Sequence, residues 1–181
     1  MIILNQIFDA PFLLFIAKLS LAMMLGLIIG LERIYAHKTA GMRTYALVAM
    51  ASALFVLIAQ SVVSVSGFAS VDAIMRMASQ IIVGVGFLGT GLIIFKDGHI
   101  ENLTTASGMW AVAGIGMAVG FGLFREAIFA AVLLFFVLGI LSFVERSIRL
   151  RYFPDPQFVA ESKPKPAPRK RTRKIAIESV E

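Results

Sequence analysis

TYALVAMASALFVLIAQSVVSVSGFASV, residues 44–71, runs for 28 residues without one charged side chain. A helix crossing a bilayer needs about 20 mostly apolar residues, and this run supplies more. Working outward, residues 77–95, 102–124 and 127–144 are uncharged stretches of the same kind, and residues 11–31 contain one charge, Lys18. None shows the strict alternation of barrel strands. The expectation is an all-α integral membrane protein: five transmembrane helices in residues 1–145, then a basic, proline-rich, disordered tail in residues 146–181.

Composition agrees. Of 181 residues, 59% are hydrophobic and 15% charged, with a mean hydropathy of +0.87. Soluble domains carry about 25% charged residues, so a chain this apolar needs lipid as its solvent. The absence of cysteine excludes disulfides, thiolate metal sites and a Cys nucleophile. Two histidines, His37 and His99, are too few for a His-rich metal cluster. The first ten residues show neither a basic n-region nor a small-residue cleavage site, so the first helix is expected to be retained. No His, Cys or paired carboxylate stands beside a candidate nucleophile, which predicts no catalytic residues and no enzymatic activity.

The net charge of +6 is concentrated. Ten of the 17 Lys and Arg fall in residues 146–174, so the basicity describes a tail and no nucleic-acid partner is expected. With five spans the two termini lie on opposite faces. One face carries Arg33, Lys38, Arg43, Lys96 and the tail, fourteen basic residues in all. The other carries Arg76 and Arg125. The positive-inside rule then places the N-terminus outside and the tail in the cytoplasm. Lys18 sits in the outer half of span one, with a stem long enough to snorkel. Near a membrane face the tail is expected either to attract anionic lipid or simply to be solvated.

Glycines mark where helices can approach closely. Gly26 and Gly30 form a small-residue stripe on span one, and Gly116 and Gly120 make a GxxxG on span four. Gly84, Gly86, Gly89 and Gly91 crowd span three and are expected to face protein, through tight packing or a broken turn. The GxGxxG match at residues 84–89 is no dinucleotide fingerprint, because it lies inside a membrane-spanning run.

Polar residues gather at the expected cytoplasmic face. Glu32 and Arg43 close span one and open span two, and are expected to pair. Asn102 or Thr104 is expected to cap span four. With Arg33 and Thr105, and with Arg76 and Gln80 of span three, these form the candidate polar cluster; the cytoplasmic-face carboxylates Glu32, Asp97 and Glu101 make either a cation or partner site or part of a belt of interfacial charges. No carboxylate falls well inside a span, so the sequence supports no metal site and leaves Mg²⁺ a possibility without intramembrane ligands.

Taken in order, Gly-Leu-Glu-Arg at 30–33, Ala-Gly-x-Arg-Thr at 40–44, Arg-x-x-x-Gln at 76–80, Gly-x-Gly-Phe-Leu-Gly-x-Gly at 84–91 and Leu-Thr-Thr-Ala at 103–106 resemble the MgtC/SapB family of bacterial inner-membrane proteins. The resemblance covers roughly residues 15–142. It implies five spans and a link to growth in low magnesium, acid adaptation and, in pathogens, survival inside host cells. Members carry labels linking them to magnesium transport, while the better-studied branch is thought to modulate other membrane proteins, the ATP synthase among them. Asn102 stands where the family usually has glycine, and Ser107 replaces an alanine. The tail is too short and proline-rich for the ACT-like domain of some members, so the chain resembles the short SapB or YhiD-like branch. A regulatory or adaptor role is expected, through membrane lipid, partner membrane proteins or a second copy of the chain, with a Mg²⁺ or small-solute transporter as the alternative. No cofactor is identified.

Overall fold

A computed structural model describes residues 9–66, 71–96, 99–144 and 147–148 of the chain. The tail expected at residues 146–181 lies almost wholly outside them. The described chain forms five helices long and apolar enough to cross a membrane: α1 (Ala10–Tyr35), α2 (Met42–Ser66), α3 (Val71–Leu92), α4 (Leu103–Phe121) and α5, which begins at Phe124–Phe136 and continues through a wide turn at Val137–Leu141 to Val144. The expected all-α, five-span architecture is therefore the observed one.

The helix ends follow local chemistry. The Asp9 carboxylate accepts the Phe12 N–H at 3.0 Å and caps α1, and Pro11 occupies the first turn, where its missing N–H costs nothing. At the other end His37 takes a left-handed conformation (φ 54°) and Lys38 N–H returns to the Arg33 carbonyl, closing the helix. Glu32 and Arg33 thus lie on the last helical turn, and the loop to α2 is shorter than the charged stretch suggested.

Helix α4 is the centre of the bundle. Ten of its 19 residues are buried, and it packs against the other four helices. Glycine makes this possible. A Cβ on Gly116 would strike the Ala49 backbone of α2, and one on Gly120 would fall 2.9 Å from Val56 Cβ. On the other side of α2, a Cβ on Gly26 would lie 2.9 Å from Ala46 Cα, and one on Gly30 2.6 Å from Met42 Cα. The expected stripes on spans one and four are real backbone crossings. Large apolar side chains such as Leu47, Phe87, Phe129 and Val132 point outward, as a lipid-facing surface requires.

The α3–α4 connection is a small antiparallel hairpin, β1 (Ile94–Lys96) and β2 (His99–Glu101), rather than a plain loop. Phe95 pairs with Ile100 on one face, and Lys96 with His99 on the other.

Span three corrects the glycine expectation. Only Gly89 meets protein, its Cβ position lying 3.6 Å from Ala106; Gly84, Gly86 and Gly91 have nothing within 4 Å. The helix is unbroken through all four. Ala73, Met77, Gln80, Gly84, Phe87 and Gly91 recur at alternating steps of four and three, and all are exposed, so they form one outward stripe.

Candidate functional site

Arg33 is the largest fully buried side chain among the described residues. From the last turn of α1 it points into the bundle. There it pairs with the Glu32 carboxylate through Nε and Nη2, and Nη2 also donates 2.7 Å to the Leu138 carbonyl of α5. That carbonyl lacks the Ser142 N–H it would meet in a regular α-helix. Over Val137–Leu141 the helix widens, and the Ser142 N–H turns to Gly139 instead of Leu138. The Leu138 oxygen accepts instead from Arg33 and from the Ser142 hydroxyl, at 2.7 Å each. Wide turns of this kind often mark functional positions. Gly139 lies beside the Glu32 stem, and a Cβ there would sit in ordinary contact, 3.6 Å from Glu32 Cγ.

Tyr45 and Thr105 complete the site. The buried Tyr45 hydroxyl donates to the Thr105 carbonyl at 3.1 Å. Gly108 makes room for it, because a Cβ there would fall 2.6 Å from the hydroxyl and 3.4 Å from Leu138 Cδ1. Two buried polar atoms, Arg33 Nη1 and Thr105 Oγ1, have no hydrogen-bond partner among the described residues. A small polar ligand or water would satisfy either one, and burial without such a partner costs about 1–3 kcal/mol.

The sequence-derived cluster therefore divides. Glu32, Arg33 and Thr105 converge, and they recruit Tyr45, Gly108 and Leu138, which sequence reading missed. The expected Glu32–Arg43 pair is not formed: Glu32 pairs with its neighbour Arg33, while Arg43 is exposed and has no ion pair among the described residues. The reason is directional. Arg33 lies on the inward face of α1, with a carbonyl waiting across the bundle, whereas Arg43 points out from the start of α2. Thr104 is also exposed.

Asn102 does not cap α4 with its side chain, and neither does Thr104. The Asn102 backbone is left-handed (φ 66°), a region that glycine enters freely and that asparagine is among the few other residues to tolerate. Its amide N–H donates to the Leu92 carbonyl at 3.2 Å and its oxygen accepts from the Thr39 hydroxyl at 3.1 Å, tying the end of α3 to the first loop. Arg76 sits near the start of α3, at the opposite end of the bundle, and Gln80 about midway along that helix; both are exposed and apart from the buried Arg33 site. Lys18 is not merely snorkelling: its ammonium donates to the Gly120 carbonyl at 3.0 Å, at the negative end of α4. No group of three or more metal-ligating side chains occurs among the described residues.

The MgtC family matches residues 19–147, a stretch that holds the whole Arg33 site. The chain belongs to the MgtC family. Within that family it is similar to SrpB of Synechococcus elongatus, 38% identical over 143 residues, 75% of this chain and 77% of that protein. YhiD of Escherichia coli K12, described as a candidate magnesium transporter, is 39% identical over 133 residues, 70% of this chain and 60% of that protein. MgtC of Salmonella typhimurium is 39% identical over 120 residues, 66% of this chain and 49% of that protein. The chain thus spans about half to two thirds of the length of several family relatives, including 63% of a Haemophilus influenzae protein to which it is 37% identical. No solved structure matches it. Family membership and five apolar helices make it a multi-pass membrane protein.

Proposed function

We propose that this MgtC-family chain is a non-enzymatic bacterial inner-membrane protein of magnesium and acid-stress physiology, acting as a regulator or adaptor on lipid or partner membrane proteins. The observation that carries this reading is the state of Glu32. It is the one acidic side chain among the described residues that is not exposed, and Arg33 already neutralises it. A Mg²⁺ path needs carboxylate oxygens free to take the ion. The outward α3 stripe supports the same reading, because Gln80 and bare glycine backbone facing lipid favour a neighbour that covers them. The charge split favours a cytoplasmic tail.

The transporter reading is favoured by the description of YhiD and by the two unpartnered buried polar atoms. Mg²⁺ flux into proteoliposomes separates the two. The regulatory reading expects flux no greater than in protein-free vesicles. Saturable, protein-dependent uptake that Glu32→Gln abolishes would overturn it.

A further inference from the structure

A groove of about 250 Å³ lies between α3 and α4. We infer that it holds one acyl chain of a zwitterionic phospholipid, with the headgroup received by Lys96 and Glu101 of the hairpin.

Glycine creates the space. Val85, Gly86 and Gly89 form the α3 wall, Ala106 and Trp110 much of the α4 wall, and a Cβ on Gly86 would meet nothing within 4 Å. The groove also has two hydroxyls, and both are already used. Thr90 donates to the Gly86 carbonyl and Ser107 to the Leu103 carbonyl, each at 2.9 Å. A polar solute entering here would lose hydration and gain little hydrogen bonding in return. A hydrocarbon chain has no hydrogen bonds to forfeit. Both walls are membrane-spanning helices, so the groove opens sideways to lipid, which delivers the occupant.

The headgroup is set by what lies at the groove's end. Ile93 and Leu103 close it, and they flank the hairpin. Lys96 stands three residues beyond Ile93, about 10 Å at 3.3 Å per extended residue, near where a phosphate follows a seated chain. The register puts Lys96, His99 and Glu101 on one hairpin face, with Phe95 and Ile100 on the other. Neither Lys96 nor Glu101 is ion-paired among the described residues. A cation and an anion together match phosphate and ammonium, as in phosphatidylethanolamine, better than they match a purely anionic headgroup. The inference holds whether or not the protein moves magnesium.

Trp110 is the single tryptophan of the chain and is half exposed at the groove, so its fluorescence reports the occupant. The full chain is reconstituted in vesicles containing, at equal mole fraction, acyl-brominated phosphatidylethanolamine or acyl-brominated phosphatidylglycerol. Quenching by the first is expected to exceed that by the second at least threefold. Gly86→Leu fills open space and should bring the two to the same level; Ser107→Leu, filling from the other wall, serves the same end if Gly86→Leu does not accumulate. The double variant Lys96→Ala, Glu101→Ala should keep the quenching and lose the headgroup preference. Equal quenching by both lipids that neither filler changes would mean bulk lipid only and overturn the inference. So would stronger quenching by phosphatidylglycerol, or an unquenched Trp110, which would place a protein helix over the groove.

Discussion

The Arg33 guanidinium and the Leu138 carbonyl, 105 residues apart in the chain, meet at 2.7 Å inside the bundle. This bond joins the first helix to the last and holds a buried charge that Glu32 balances. Breaking a buried pair by removing one partner costs about 3–5 kcal/mol, because the other charge is stranded. Arg33→Ala and Glu32→Ala are therefore expected to lower thermal stability in detergent sharply and to reduce accumulation. Arg43→Ala should leave both within error. Loss of stability in Arg43→Ala with none in Arg33→Ala would reverse the assignment.

Glycines in one sequence should behave in two ways. Gly116→Ala places a methyl into the Ala49 backbone, which has no side chain to swing aside. Overpacking costs about 1–3 kcal/mol, and a backbone obstacle puts this variant at the upper end. Gly84→Ala and Gly91→Ala meet open space and should match the wild type in melting temperature measured by size-exclusion after heating.

Lys18→Met removes the donor to the Gly120 carbonyl at the end of α4. A hydrogen bond to a charged group contributes about 1.5–3 kcal/mol, and the loss should appear as a lower unfolding midpoint. A side chain that only snorkelled would give a midpoint unchanged by the substitution.

Position 102 tests the left-handed turn. Asn102→Ala loses both side-chain bonds and must hold a conformation that costs a Cβ-bearing residue about 1–2 kcal/mol. Asn102→Gly loses the bonds but accepts the turn freely. The glycine variant is expected to be the more stable in a thermal melt.

Reporter fusions after Phe95 and after Tyr152 are expected to give cytoplasmic signals, from the fourteen-to-two split of basic residues. A periplasmic signal at either position would reverse the topology.

The five spans were legible because crossing a bilayer asks only for length and absence of charge, both visible by inspection. Gly26, Gly30, Gly116 and Gly120 were legible as crossings for a similar reason, each pair being spaced by one turn. Gly84, Gly86 and Gly91 misled. A glycine shows that a backbone can come close, not that one does. The Arg33 site was hidden for geometric reasons. Adjacent helical residues seldom face each other, so Glu32–Arg33 did not suggest a pair. The carbonyl that completes it lies on the wide turn of α5, and the traces of that turn in the sequence are slight, Gly139 followed by Ser142. Tyr45 and Gly108 lie 63 residues apart, and a hydroxyl fitted over a missing methyl leaves no local pattern.

The central place of α4 bears on the order in which the protein is made. Helices enter the membrane in chain order, yet the element that buries most of itself is the fourth. The α1–α2 hairpin can settle as soon as it is inserted, since Gly26 and Gly30 seat it against Met42 and Ala46. Helix α3 then waits, most of its surface in lipid, until α4 arrives and joins Ala49 and Val56 of α2 with Ile81 and Val85 of α3 in one core. The Arg33–Leu138 bond forms last, because its acceptor is on the final span. Until that span is inserted, the nascent protein carries an arginine whose acceptor does not yet exist.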